Sequence, residues 1–558
     1  MKKYQKYIVT VAALTSVIAS GCKKEYFDRA PLSQITLDNF YQTTDQVNAS
    51  TNALYSAPWF GYSGKAGWSI ADLSSGNART YSSDIINFQD FTVTGTNFEI
   101  AAAWNSLYIE VSQANALINN LPSKVPASID RAVVNNAVGE ARLWRALAYF
   151  HLVRIFGAVP IIENTLDYTS NYQTVPRNPI ADIYKFIVND LKFAEANCYK
   201  KIRTGTGSAN AHVSSGSASA LLAKVYLYMQ DYTNARAEAE KVIASGEFKL
   251  YGGEIAGKTF ADLFLTANNN NEESIIQLQW ATTGQYGLGN PFQAAVAFSG
   301  IITGTGDGYG QAAPTFDLQD AFDPADARRK PTYMLPGDKY PEINQAAGGY
   351  TLPADASSQG THAQIKKYVV GTPADNGGVG GRQASANNTY MLRYADMFLI
   401  QAEAVMAGAS SSSDPVALNA INTIRRRAGL GALSVINRWY MVANPNYSKY
   451  GTTPNSNVPR MVIKDDILDE RRREFAFEDD FFFDLLRLDG FNVAAHPKAL
   501  QYMAQQDRGT SDNVYPATTR YGNQYLRATE ANLTFPIPAT EIAADPQLAQ
   551  PPVPYVFK

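Results

Sequence analysis

Four histidines are the obvious candidates for metal or acid–base chemistry, and their spacing argues against both. His151, His212, His362 and His496 lie far apart, and none has a second ligand three or four residues on, so no zinc site is implied. His151 sits among apolar residues of a helical pattern and reads as a satisfied structural histidine. The alternating glycines Gly304, Gly306, Gly308 and Gly310 lack the Lys-Ser/Thr and helix of a phosphate-binding loop. No Gly-x-Ser-x-Gly elbow occurs. Cys198 has no basic cradle to lower its pKa and reads as an inert thiol. The densest charged segment is DERRREFAFEDDFFFD, Asp469 to Asp484. Paired carboxylates can serve a glycosidase as acid and nucleophile. Here, however, they interleave with Arg471, Arg472 and Arg473 beside Phe475 and Phe477, the pattern of a structural ion-pair seam. The residues call for no metal, no cofactor and no catalytic group.

The elements that position these residues are mainly helical. Leu143, Leu147, Phe150 and Val153 fall on one helix face, which stops at Gly157 with Pro160 beyond. Residues 182–196 and 218–245 are further amphipathic regions. The second carries Leu222, Ala223, Tyr226, Tyr232 and Ala235 at the offsets of a tetratricopeptide helix pair. Helices are also expected over 391–407, 415–427 and 463–487, and in the lead to residue 57, where Asp38 is a candidate cap. Ser274 to Trp280 is the one clear short strand. Residues 59–100 and roughly 250–390 read as long loops rich in Gly, Ser, Asn and aromatics, and loops of that length are commonly functional.

Composition narrows the class. The 558 residues are 45% hydrophobic, 12% aromatic and 18% charged, with a formal net charge of −3. That is enough apolar content to build a core, which excludes a disordered chain. A pI near 5.9 excludes the basic surplus of a nucleic-acid binder. Lys2, Lys3 and Lys6 precede the apolar run Ile8 to Ile18 and the small residues Ala19, Ser20 and Gly21, so residues 1–21 read as a secretory signal. Cys22 follows directly, as in a bacterial lipobox, though Ala19 stands where Leu is usual. Cys22 is therefore expected to carry lipid. Removing the signal takes three lysines and no acid, leaving the mature chain at −6. No later stretch has the ~18 apolar residues of a membrane helix.

Read in order, the motifs resemble the SusD/RagB family of outer-membrane nutrient-binding lipoproteins. They are EYFDRAPLSQIT (Glu25–Thr36), WNSLYIEVSQANALINNL (Trp104–Leu121) and GEARLWRALAYFHLVRIFGAVPII (Gly139–Ile162). LLAKVYLYMQDYTNA (Leu221–Ala235), NEESIIQLQW (Asn271–Trp280), YMLRYADMFLIQAEA (Tyr390–Ala404), INTIRRRAGL (Ile421–Leu430) and ILDERRREFAFEDDFFFDLLR (Ile467–Arg487) follow, and LTFPIPATEIAADPQLAQ (Leu533–Gln550) closes the set. Each motif alone is weak; their order is specific. The chain departs from the family's pattern at Pro551 to Tyr555.

The resemblance implies a mainly α fold, a tetratricopeptide-like helix-pair scaffold with a long-loop, ligand-binding half and little β structure, as a single domain over 22–558. It implies a lipid-anchored, cell-surface receptor in the outer membrane, most simply for oligosaccharide. The receptor would hand its ligand to a TonB-dependent, SusC-like β-barrel. A receptor for peptides or glycopeptides and a surface glycoside hydrolase are the competing readings. It also implies that the binding site forms where the stretches 59–81 and 280–309 meet. Sugars offer apolar C–H faces and hydroxyl edges, so flat rings and polar side chains are the candidates. Trp68 and Tyr81 are expected to stack, with Asp72, Asn77 and Arg79 on hydroxyls, and Tyr286, Phe292 and Tyr309 adding rings. Trp104, Trp144 and Trp280 are assigned to packing.

Overall fold

The computed structural model describes residues 40–356, 359–447, 458–509 and 528–557. The signal segment, Cys22 and Asp38 lie outside them. The first helix described, α1 (Thr44–Ser50), is capped by Thr43, whose hydroxyl accepts from Gln46 N–H while the Gln46 side chain accepts from the Thr43 N–H.

The scaffold is a row of helices: α2 (Phe98–Lys124), α3 (Arg131–Phe156), α4 (Ile180–Asn197), α5 (Ser215–Tyr228), α6 (Tyr232–Ser245), α7 (Tyr394–Met406) and α8 (Pro415–Arg427). Each packs on the next, so α7 docks on α6 across the long middle segment. The α5–α6 pair is tetratricopeptide-like. Ala220, Ala223, Ala235 and Ala239 are fully buried in it, and small side chains let helix axes approach closely. The α3 helix ends at Gly157, whose φ of 70° suits glycine. Trp144 is buried on Tyr55 and Trp59, and Trp104 and Trp280 are also interior.

His151 is a core residue. Its Nδ1 accepts from Arg154 and contacts the Tyr62 hydroxyl at 2.9 Å, and burial together with Arg154 and Lys224 holds the ring neutral, well below the usual histidine pKa. Burial pushes the Cys198 thiol up, which keeps it protonated and unreactive.

The charged segment is the seam that its pattern implied. It forms α9 (Asp466–Phe475), with the short helix Phe481–Leu486 after it. Glu474 binds Arg328 at 3.1 Å, Arg393 at 2.9 Å and Arg427. Glu470 binds Arg328 at 2.7 Å and Arg473 at 2.7 Å, and Arg471 bridges Asp396 to Asp484. These charges are buried and stitch α7, α8 and α9 to the middle segment. Such pairs gain little over apolar packing, but removing one partner strands the others.

Three expectations fail, each for a local reason. The helix expected from Met391 starts at Tyr394, because Thr389–Arg393 pairs antiparallel with Ser274–Leu278 as a strand, its Tyr390 and Leu392 facing inward at period two. The helix expected over 463–487 begins as strand Met461–Lys464 and breaks after α9, where Phe477 and Asp479 both take φ of 62°. Residues 60–75 wind as helical turns instead of a loop, with wide π-type turns at Tyr62–Ala66 and Ser69–Leu73. Glycine makes that possible: a Cβ at Gly61 would lie 3.3 Å from Ala102 O and Ser106 Cβ on α2, and one at Gly67 would lie 2.7 Å from Asp479 Oδ2.

Candidate functional site

The 60–75 turns, the start of α2 and the glycine-rich segment 280–311 enclose an open groove of about 400 Å³. Its rings are Phe60, Phe98, Tyr286 and Tyr309. Phe98 is 78% exposed, Tyr286 64% and Tyr309 48%, a concentration of solvent-facing aromatics that a core does not need. Tyr286 meets the edge of Phe60 at 5.2 Å, and Phe60 in turn leans on buried Trp280 at 6.3 Å.

Backbone bonds fix Tyr309 in place. Its N–H donates to Ala294 O at 2.9 Å and Gln311 N–H to Ala295 O at 2.8 Å, so the loop lies along the helix Phe292–Val296. Gly308 has φ of 113° with Ser299 backbone 2.6 Å from where a Cβ would sit, so only glycine serves there. The Gln383 amide donates to the Tyr309 hydroxyl at 2.9 Å. Tyr81 is tied to the Tyr309 loop through one side chain: its N–H donates to Gln359 Oε1 at 2.5 Å, and Gln359 Nε2 donates to Gly310 O at 2.6 Å.

The groove also carries charge. Lys65 pairs with Asp84 at 2.6 Å, and Glu99 lines the groove with its carboxyl pushed above the usual range by burial, against the pull of Lys65. Flat rings beside amides and one acid can take a ligand with apolar faces and hydroxyl edges. No cluster of three or more His, Cys, Asp or Glu side chains able to hold a metal occurs among the described residues.

Two family models match this chain. The SusD family model covers residues 257–554, and one described as "Starch-binding associating with outer membrane" covers residues 25–227. The chain belongs to the SusD family. A SusD-like protein of Bacteroides ovatus is 30% identical over the whole of both chains. A crystal structure with xylogluco-oligosaccharide is 29% identical, with a TM-score of 0.76 over 92% of this chain and 99% of that one. A laminarin-binding SusD-like protein, 24% identical with a TM-score of 0.66 over 91% and 99%, shares the fold.

Within this SusD-family fold the two expected stretches do meet. Phe60 meets Tyr286, Trp68 meets Phe292, and residues of both stretches line the groove; just beyond them, strand Ala78–Arg79 pairs with Ala313–Pro314. Of the rings and polar groups expected to face ligand, Tyr286 and Tyr309 line the groove, and half-buried Tyr81 lies outside its lining, tied to the Tyr309 loop through Gln359. The others are interior, and this corrects the sequence reading. Trp68 is 2% exposed, its indole N–H donating to Gly64 O at 3.2 Å and its ring meeting Phe292, itself 8% exposed, at 6.2 Å. Asp72 accepts from Asn77 Nδ2 at 3.1 Å and Phe477 N–H at 3.2 Å, and burial raises its carboxyl to about 7. Asn77 accepts from Arg472 at 2.9 Å. Arg79 is buried beneath Tyr81, stacked at 4.8 Å and donating to its hydroxyl at 2.5 Å.

The sequence reading missed Phe60, Lys65, Phe98, Glu99, Gln311 and Gln383. Phe98 carried a signal: it directly follows Asn97, the α2 cap, where a large apolar side chain has no core to enter. Gln383 carried none, since only the tertiary fold brings it to Tyr309.

Proposed function

We propose that this SusD-family protein is a cell-surface glycan receptor that binds oligosaccharide in the groove of Tyr286 and Tyr309 and does not cleave it. Exposed rings flanked by the Gln311 and Gln383 amides are the observation that carries the reading. The likeness to a structure with xylogluco-oligosaccharide supports a carbohydrate ligand. In this reading residues 22–558 form one unit, Cys22 carries the lipid that holds it to the outer membrane, and the bound glycan passes to a TonB-dependent, SusC-like barrel. A tethered receptor beside its transporter acts at high effective concentration, which offsets modest affinity.

Native electrophoresis through gels containing xyloglucan, laminarin or starch tests the binding. Retardation by at least one of them, with no new reducing ends after prolonged incubation, is the expected result. New reducing ends beyond one per protein would contradict it. Retention on a peptide array but by no glycan would replace it with the peptide reading.

A further inference from the structure

A second cavity, of about 560 Å³, lies between segments 252–265 and 327–342 and shares no lining residue with the aromatic groove. Its volume falls within the ~300–1,000 Å³ of small-ligand pockets. The lining is one-signed. Lys258, Lys330, Lys339, Lys366 and Arg427 converge on it, and Glu342 is the one carboxylate among the lining residues.

These cations differ in how far they are already satisfied. The Arg427 side chain is 1% exposed and its charge is matched by Glu273 and Glu474, although its Nε–H is buried with no acceptor. The Lys366 side chain is 7% exposed. Its ammonium donates to Val369 O at 2.9 Å and pairs with Glu342 at 3.4 Å, which leaves one of its three protons without a partner. Burial works against the Lys366 charge, and an incoming anion would favour it. Lys258 donates to the neutral Asn268 side chain at 2.9 Å. Lys330 and Lys339 stand exposed at the rim, and neither forms an ion pair with a described residue; the nearby Asp338 is held by Arg329. The Tyr340 ring lies under two of the cations, Lys330 at 5.3 Å and Lys366 at 5.5 Å, and Phe260, Leu265 and Pro341 add apolar wall.

We propose that this cavity is a second ligand site, for an acidic saccharide unit: a sugar ring against the apolar wall with a carboxylate or ester sulfate among the lysines. Only the choice of a sugar ring rests on the glycan-receptor reading; the demand for an anion comes from the lysines alone. Three lysines (Lys258, Lys330 and Lys339) that pair with no carboxylate among the described residues give the anion several charge-assisted hydrogen bonds. The wall explains why a ring-bearing acid, rather than a bare ion, fits the volume.

Calorimetry of the full chain with galacturonic acid, galactose 6-sulfate and neutral galactose tests this. Either acid should bind at least about tenfold more tightly than galactose, since hydrogen bonds to a charged group are the stronger ones. The uronate and the sulfate arms then tell the two anion sources apart. Lys330→Ala with Lys339→Ala should weaken the acid about tenfold and leave the melting temperature unchanged, because both side chains are exposed. Tyr286→Ala with Tyr309→Ala should leave acid binding unchanged, which separates this site from the groove. Equal binding of all three sugars, no binding of either acid, or a lysine double variant that binds acid normally would overturn the proposal.

Discussion

Replacing Trp68 by alanine should cost stability and leave the exposed rings of the groove in place. The indole is 2% exposed, its N–H is satisfied by Gly64 O, and its ring braces Phe292, the first residue of the helix against which the Tyr309 loop lies. Truncating a ring this buried loses its transfer free energy and leaves a void, together ~3–5 kcal/mol. The exposed Tyr286, by contrast, should cost no more than about 0.5 kcal/mol on removal. Urea unfolding reads the difference: Trp68→Ala should lower the midpoint markedly at unchanged slope, and Tyr286→Ala should barely move it. Trp68→Phe should recover most of the loss, since a ring again fills the space. A Trp68→Ala protein with a wild-type midpoint and abolished glycan binding would refute this reasoning and return Trp68 to the binding surface.

Burial holds the Asp72 carboxyl at about 7, up from 3.8. The unfolded chain therefore ionises this group at lower pH than the folded one, and stability should fall as pH rises from about 4 to about 7; Asp72→Asn should flatten that slope in pH-dependent urea titrations. Asp396 and Glu470 are held at about 2, so their contribution is present above about pH 4.5 and should be lost as pH falls towards 2, seen as acid unfolding. Glu474→Gln should cost ~3–5 kcal/mol, because it leaves the buried cluster of Arg328, Arg393 and Arg427 one carboxylate short; a neutral outcome by denaturation would show that the remaining partners suffice. Cys22→Ala should give a folded protein that no longer incorporates labelled fatty acid and fractionates away from membranes.

The scaffold was legible because its signals are local. The spacing of Leu143, Leu147, Phe150 and Val153 names a helix face, and alternating acids and arginines in one helix can neutralise one another only if they pack together. The 60–75 segment was opaque for an equally physical reason. Its wide turns shift buried positions off the 3.6-residue period, and its glycines, which permit contact with α2 and Asp479, look like loop residues. That misreading carried Trp68, Asp72, Asn77 and Arg79 to the surface. Tyr286 and Tyr309 were legible as exposed rings because rings among glycines have little local core to join. Gln359, which links Tyr81 to the Tyr309 loop, lies 278 residues from Tyr81, beyond any sequence pattern.

In the proposed function, solvent-facing tyrosines of the 280–311 segment hold the glycan. Calorimetry with whichever glycan retards the wild-type protein, applied to Tyr286→Ala with Tyr309→Ala, tests it most directly. Taking ring stacking on other flat ligands at ~1–3 kcal/mol per ring, the double variant should bind at least tenfold more weakly with its unfolding midpoint preserved. Wild-type affinity in a folded double variant would show that the glycan binds elsewhere.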